Sequence, residues 1–478
     1  MQRIDLIALG PLLALTATVA LVMLQIALLR RHVLTLVLTL AGLAAALATL
    51  PAAAARPALA ITPLLTMNAL ALFFIALIVL ATAATALLGY GYLSQMGGHR
   101  EEFYLLLLIA AAGAAVLVSS RHFSAFFIGL EILSVSLYAL IAYPRHRPQS
   151  VEAGLKYLVL AAASAAFLLF GMALIYSDSG TLDFAALSAR GALAGGQGRS
   201  LMLLAGTAMV VVGVGFKLAL VPFHMWTADV YQGAPAPVTA FVATVSKGAV
   251  VALMVRLLAP IDPSQAPSLF RLLGILAFAS MVGGNLLALW QQRVKRILAY
   301  SSIAHLGYLL VAFLSASPSA IAAVMFYITA YTVSVMGAFG VVSVLSARHK
   351  DADALDDFRG LFYRHPWLAA VFSAMLLSLA GIPLTAGFIA KFYVIAAGAQ
   401  GRIWFLVITL LATSGVGLFY YLRIIVVLFD PRQADASSRP QERVDFSGAI
   451  VLTMMMILLV WIGSLPEPLL ELIQTALR

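Results

Sequence analysis

Four charged side chains lie deep inside long apolar runs of this sequence: Glu131, Lys217, Lys247 and Lys391. A Lys or Asp at the centre of a membrane helix costs about 2.5–3.5 kcal/mol on insertion scales. With Glu treated as Asp, the four together cost on the order of 10–14 kcal/mol if they face lipid. They must instead face a polar partner or water. Two chemistries meet that demand. One is a set of structural ion pairs joining helices; the other is a relay, since chains of ionisable groups inside a bundle are how pumps move protons. Lysine suits a relay, because desolvation and a nearby carboxylate act on its proton affinity in opposite directions.

Each charge lies on a polar stripe. Glu131, Ser134 and Tyr138 share one helical face at i, i+3 and i+7. Thr239, Thr244 and Lys247 lie along another helix, and Ser301, Ser302, His305 and Tyr308 mark a third. His305, flanked by hydroxyls, reads as a relay element rather than an isolated core histidine. It does not read as a metal ligand, because no second His or carboxylate stands at i±3 or i±4. Pro222 follows Lys217, and Gly381 and Pro383 precede Lys391. Proline removes a backbone hydrogen bond and breaks a helix. Inside a bilayer the freed carbonyls survive only where protein or a wet cavity satisfies them. A lysine beside such a break fits a mid-membrane transport site; a packing kink is the plainer reading. Other residues divide two ways. Lys156 forms a local i,i+4 pair with Glu152 or reaches inward as part of the pathway. His224 and Asp229 exchange protons with water or simply build a loop. Arg423 reads as an interfacial anchor, and the acids between Asp351 and Asp357 as a solvated loop.

Such positions require helices that cross a membrane. Of 478 residues 63% are hydrophobic and only 10% charged, with mean hydropathy +1.03. A soluble domain carries about 25% charged residues, so the chain cannot clothe itself for water. The expected fold class is an all-α polytopic membrane protein. Apolar runs of the length a bilayer requires fall at 4–29, 33–54, 64–93, 102–119, 122–143, 152–177, 201–221, 237–258, 267–290, 294–314, 319–346, 366–396, 401–429 and 447–465, making fourteen helices. Nothing alternates as the strands of a membrane barrel would. The segment Met1–Asp5 lacks the features of a cleaved leader, so the first run is expected to be retained. The absence of cysteine excludes disulfides, iron–sulfur ligation and thiol chemistry on this chain. Polar stretches at 178–200, 347–365 and 430–446 are too short for a nucleotide-binding or redox domain. GVGFK at 213–217 lacks the phosphate-binding glycine patterns.

The net charge of +10 sits in short loops and reads as a topology signal, not as a nucleic-acid surface. Fifteen lysines and arginines fall on the face opposite the N-terminus and nine on the N-terminal face. The positive-inside rule then places both termini in the periplasm. Counting helices puts Lys217 on the seventh and Lys391 on the twelfth. Helices 4–8 and 9–13 form two five-helix repeats, inverted because five is odd, with helices 7 and 12 broken. The expected division is 1–98 for helices 1–3, 99–260 and 261–430 for the two repeats, and 431–478 for a loop and helix 14. PVTAFVATVSK (237–247) echoes PLTAGFIAK (383–391), but out of phase with that repeat, and carries no weight.

Three segments carry a specific resemblance: GFKLALVPFHMWTADVYQGAPAPVTAFVATVSKGAV (215–250), RVKRILAYSSIAHLGYLL (293–310) and GIPLTAGFIAKFY (381–393). They resemble the antiporter-like membrane subunits of respiratory complex I, the NADH-quinone oxidoreductase, across helices 4–13. GLEILSVSLYALIAY (129–143), SVEAGLKYLVLAAASAAFLLFGMALIY (150–176) and a lysine rather than glutamate on helix 12 resemble the N-type branch of that family. The resemblance implies that Glu131 is the key carboxylate, Lys217 the helix-7 lysine, Lys247 the connecting lysine and Lys391 the residue at the exit half-channel. It implies a translocase subunit with no cofactor on this chain. NADH, FMN, iron–sulfur clusters and quinone would belong to partner subunits, whose redox energy changes the Glu131–Lys217 pairing and drives protons out of the cytoplasm. The implied partners are antiporter-like M- and L-type subunits, small K-, J-, A- and H-type subunits and the lipid of a bacterial inner membrane. A subunit of a multisubunit cation/proton antiporter, or of a membrane-bound hydrogenase, shares the fold and the lysines and differs in partners. A scaffold without ion traffic leaves the buried charges unexplained.

Overall fold

The computed structural model describes residues 5–56, 59–96, 98–189, 200–346, 351–431 and 444–477. Expectations resting on Arg3, Arg190, Arg199, Arg348, Lys350, Arg432, Arg439, Arg443 and Arg478 lie outside these residues. Among the described residues the chain is a helical bundle with one two-stranded hairpin, Leu59–Ala60 against Thr66–Met67. Thirteen of the helices described are long and apolar enough to cross a membrane. They include α1 (Gly10–Leu28), α2 (His32–Ala54), α3 (Ala69–Ser94), α4 (Glu101–Ser119), α5 (Phe123–Ile141) and α6 (Pro148–Ser179). A broken α7 follows, with α7a at Leu201–Leu218 and α7b at Thr227–Gly233. Next come α8 (Ala236–Leu258), α9 (Pro267–Leu289), α10 (Val294–Leu314) and α11 (Ala320–Leu345). The twelfth expected span, 366–396, is divided into α12a (Pro366–Ala380) and α12b (Ala386–Gln400), too short singly to be counted among the thirteen. The chain closes with α13 (Trp404–Leu428), α14 (Phe446–Ser464) and α15 (Glu467–Leu477).

Hydropathy and local end signals account for these elements. Proline opens α6, α9 and α12a, where the missing N–H costs nothing. Asn68 caps α3 by accepting from the Ala71 N–H at 3.1 Å. The span expected from residue 64 starts later, at Ala69, because Thr66–Met67 pairs in the hairpin. The short amphipathic α15 was not expected; Leu469 and Ile473 bury it against α3 and α11.

Layering decides where charge is tolerable. The most apolar stretch of α8 is wholly enclosed by protein, and those of α10 and α11 nearly so. Helices α1, α2, α6 and α13 instead turn large apolar side chains outward, such as Leu21, Val37, Phe170 and Phe419. Lys247, Ser302, His305 and Tyr327 thus ride on the innermost helices, sheltered from lipid.

The seam between α4 and α5 positions Glu131. A Cβ on Gly129 would stand 2.7 Å from the Leu117 backbone nitrogen, so only glycine permits this approach. Overpacking of this kind costs about 1–3 kcal/mol. Gly129→Val should therefore lower the melting temperature of the purified protein in detergent; an unchanged value would show that the two helices do not meet this closely.

Candidate functional site

Two helix breaks and one π turn set the buried lysines. At the first break α7a ends on Ala219 in the left-handed region, two residues after Lys217. The Phe216 carbonyl takes the Ala219 N–H at 3.0 Å and the Trp226 indole N–H at 2.9 Å, so the break near Pro222 leaves that carbonyl satisfied. At the second, Gly381 adopts a φ of +85°, and a Cβ there would lie 2.8 Å from the Lys391 side chain. Lys391 itself donates to the freed Ala380 carbonyl at 2.8 Å, while Thr385 caps the restarted helix through the Phe388 N–H. Both breaks fall where Pro222 and Pro383 predict. The third device was not legible: α8 contains a π turn at Val242–Ser246, immediately before Lys247.

The partners of these lysines are neutral. Lys217 is 3% exposed, Lys247 0% and Lys391 7%. Lys217 donates to the Ser134 hydroxyl at 2.7 Å and lies 5.4 Å from the Tyr157 ring centre. Lys247 donates to Ser302 at 2.5 Å, over the ring of Tyr231. Lys391 donates to Ser414 at 2.7 Å besides Ala380, over the ring of Tyr308. None of the three has a carboxylate within 4.0 Å among the described residues. Structural ion pairing therefore does not explain why these lysines are buried.

Hydroxyls extend the chain beyond Lys247 and around His305. Ser302 is shared with the Tyr331 hydroxyl at 2.5 Å. His305 lies between two phenols, Tyr327 at 2.7 Å from Nδ1 and Tyr421 at 3.2 Å from Nε2. Tyr421 also bonds Ser301. Asn285 donates to the Tyr308 hydroxyl at 2.8 Å and accepts from Tyr420 at 3.0 Å. The stripe of Ser301, Ser302, His305 and Tyr308 thus faces polar groups as its spacing implies. Tyr331, Tyr421 and Asn285 carry no charge and form no motif, and only the packing of the helices brings them to Ser302, His305 and Tyr308.

Glu131 stands apart from Lys217. No ion pair joins them within 4.0 Å among the described residues. Ser134, one turn along α5, holds the ammonium instead, and Glu131 Oε1 is buried with no hydrogen-bond partner. Lys156 is 44% exposed and bridges Glu152 at 2.8 Å and Asp229 at 2.9 Å. The local pair with Glu152 is therefore present, and it is joined to α7b. Asp229 also takes Arg296 at 2.8 Å, within a polar crevice of about 340 Å³ that Arg147, Arg293 and Asp353 help to line. His224 sits in the turn between the halves of α7, its Nδ1 buried and unbonded.

Arg423 donates to the carbonyls of Leu289 and Gln291 at 3.1 and 2.6 Å, closing the C-terminal end of α9. One expectation is corrected. Of the 351–357 acids Asp356 is exposed, as expected of a solvated loop, but Asp351, Asp353 and Asp357 are tied into the protein. The Asp351 side chain is 9% exposed, and Oδ1 accepts from Tyr92 at 2.6 Å and Arg147 at 2.7 Å. Oδ2 accepts from Lys295 at 2.8 Å and from the Ala236 N–H at 3.1 Å. Asp353 pairs with Arg293 at 3.0 Å, and Asp357 accepts the N–H groups of Asp353 and Ala354. The partners of Asp351 lie far away in sequence, so composition alone made the segment look solvated. Burial raises the Asp351 carboxyl, but the Lys295 ammonium and the hydrogen bonds outweigh it and hold it below the usual carboxylate range.

The fold and these buried lysines define a polytopic membrane protein with antiporter-like architecture. The family described as NADH:quinone oxidoreductase/Mrp antiporter, transmembrane, matches residues 120–417. NADH-quinone oxidoreductase subunit N of Chromohalobacter salexigens is 49% identical over 473 residues, 98% of each chain. Its counterpart in Ectopseudomonas mendocina is 48% identical, over 98% of this chain and 96% of the other. A chain of respiratory complex I from Thermus thermophilus superposes with a TM-score of 0.82 at 34% identity, covering 96% of this chain and 98% of that one. A chain of the archaeal membrane-bound sulfane sulfur reductase gives 0.84 at 25% identity, over 98% and 96%. The Mrp complex of Dietzia gives 0.85 at 21%, over 99% and 97%, a likeness of fold alone. The chain belongs to the NADH:quinone oxidoreductase/Mrp antiporter transmembrane family.

The ionic node has a pH signature. Because the Asp351 carboxyl titrates lower in the folded chain, its stabilisation is complete above the unfolded aspartate value of about 3.9. It is lost as pH falls through the lower folded value. Leaving a buried charge unpaired costs about 3–5 kcal/mol. Asp351→Asn should thus melt below the parent by a gap that is flat from about pH 8 to about pH 5 and closes only below about pH 4. A gap that closes near neutrality would place the titrating group elsewhere.

Proposed function

We propose that this chain is a proton-translocating membrane-arm subunit of an NADH:quinone oxidoreductase. The observation that carries the reading is the set of three enclosed lysines bonded to hydroxyls and a backbone carbonyl rather than to carboxylates. A serine hydroxyl both donates and accepts, so a lysine facing it keeps a partner whether charged or neutral. An ion pair would lock the charged form. The route runs through Glu131, Lys217, Lys247, His305 and Lys391, with Lys156 in the ionic cluster at its mouth. His305, set between two phenols, passes a proton by exchanging tautomers.

Glu131 supplies the drive. A carboxylate brought to about 4 Å stabilises an ammonium by about 4 kcal/mol at an effective dielectric near 20. Approach of Glu131 holds a proton on Lys217, and withdrawal releases it toward Lys247. In this reading the two lysines belong to one of two inverted units, 99–260 and 261–430, flanked by 1–98 and 431–478. NADH, FMN, iron–sulfur clusters and quinone lie on partner subunits, alongside M-, L-, K-, J-, A- and H-type membrane subunits. The setting is a bacterial inner membrane with both termini periplasmic. The near-full-length identity to subunit N relatives favours this over an antiporter or hydrogenase subunit.

Two measurements test the reading. Gentle solubilisation and capture of the tagged chain should bring flavin and iron–sulfur subunits that oxidise NADH with quinone. Recovery with membrane subunits alone, or with a nickel hydrogenase, would move the chain to another branch. Losing a positioned proton-transfer group costs about 10²–10⁴-fold in that step. In Lys217→Ala this subunit's share of pumping should therefore fall to background while the complex still assembles on native gels. Parental pumping by an assembled Lys217→Ala complex would remove Lys217 from the route.

A further inference from the structure

Asp351 joins the starts of the two helices that carry Lys247 and Ser302. Its Oδ2 accepts the N–H of Ala236, the first residue of α8, at 3.1 Å. The same oxygen accepts from Lys295, the second residue of α10, at 2.8 Å. Lys295 is fully enclosed and also donates to the Ala234 carbonyl at 2.6 Å, just before α8 begins. Oδ1 ties the same carboxylate to Tyr92 of α3 and to Arg147 at the start of α6. One side chain therefore fixes the entry of α8 against three other helices. A carboxylate at a helix N-terminus is also favoured by the helix dipole.

Between this clamp and Lys247 lies the π turn at Val242–Ser246. A π turn holds one residue more than the α turn it replaces, and such turns are confined to places where surrounding contacts enforce them. Each residue of an α-helix turns the chain by about 100°. If the start of α8 is released and the π turn reverts to α, Lys247 swings by about that angle relative to Ala236. Its contact with Ser302, at 2.5 Å, is then lost.

We propose that Asp351 is a positioning residue for proton transfer: by clamping the starts of α8 and α10 together it holds Lys247 on the Ser302 hydroxyl. The inference rests on the reading that Lys247 and Ser302 lie on the proton route.

The test is a double-mutant cycle in the whole complex, in native membranes: parent, Asp351→Asn, Ser302→Ala and both together. The readouts are protons pumped per NADH oxidised and the pH profile of pumping. Each single substitution should lower this subunit's share of that ratio about fivefold, and the double variant no further, because coupled sites are not additive. The two singles should also share one altered pH profile. Asp351→Glu, which keeps the charge, should restore at least part of the ratio. A double variant reduced by the product of the single effects, about 25-fold, would overturn the proposal and make Asp351 an independent structural contact. Parental pumping by Ser302→Ala would instead break the reading on which the inference rests, and the proposal with it. Failure of both Asp351→Asn and Asp351→Glu to yield assembled complex would also overturn it, assigning the residue to folding.

Discussion

A buried ammonium must find polar company without finding a carboxylate, and most of this structure follows from that constraint. A charge in the bilayer interior is expensive, and the usual remedy is a counter-ion. Here the remedy at Lys217, Lys247 and Lys391 is a hydroxyl, supplemented by aromatic faces at 5.4, 5.5 and 5.4 Å. Such partners stabilise charge less than a carboxylate would. They also remain partners when the proton leaves. The enclosing helices α8, α10 and α11 exclude lipid from these groups, and the outer helices supply the apolar surface that meets it.

Placing the lysines this way requires backbone that regular helices do not provide. The break after Lys217 turns a tryptophan onto a carbonyl of the last turn, and the break before Lys391 turns the lysine itself onto one. The two sites solve one problem in opposite senses. At the first, protein satisfies the carbonyl and frees the lysine for Ser134. At the second, the lysine is divided between Ala380 and Ser414. Lys247 uses a third solution, a π turn that changes its azimuth without opening the helix.

Much of this was legible in the sequence. Hydropathy located every span, and the prolines marked both breaks, because insertion cost and lost N–H groups are local properties. The stripe around His305 was legible for the same reason. What escaped depends on distant partners. Asp351 meets Tyr92, Arg147, Ala236 and Lys295 across separations that no local pattern reveals. Tyr331 and Tyr421 are uncharged phenols in apolar helices, and their contacts show only once Ser302 and His305 face them. The pairing expected of Glu131 and Lys217 came from the family resemblance, not from the residues of this chain. Ser134, on the same stripe, lies between the two ideas: the face is right, and the group that meets the lysine is the hydroxyl.

Charge is thus handled by two rules in one chain. Near the polar crevice, ions are paired: Lys156 with Glu152 and Asp229, Arg293 with Asp353, Arg147 and Lys295 with Asp351. Those pairs fix helix starts, and a fixed start determines where the rest of a rigid helix points. Deeper in, the lysines meet hydroxyls, whose weaker hold lets protonation change without tearing the packing. Pairing the interior charges would give a more rigid bundle whose lysines could not release a proton. Leaving the ends unpaired would let α8 and α10 drift by more than the reach of one hydrogen bond. The division places rigidity at the helix starts and chemical freedom along their length, and a relay built from side chains needs both.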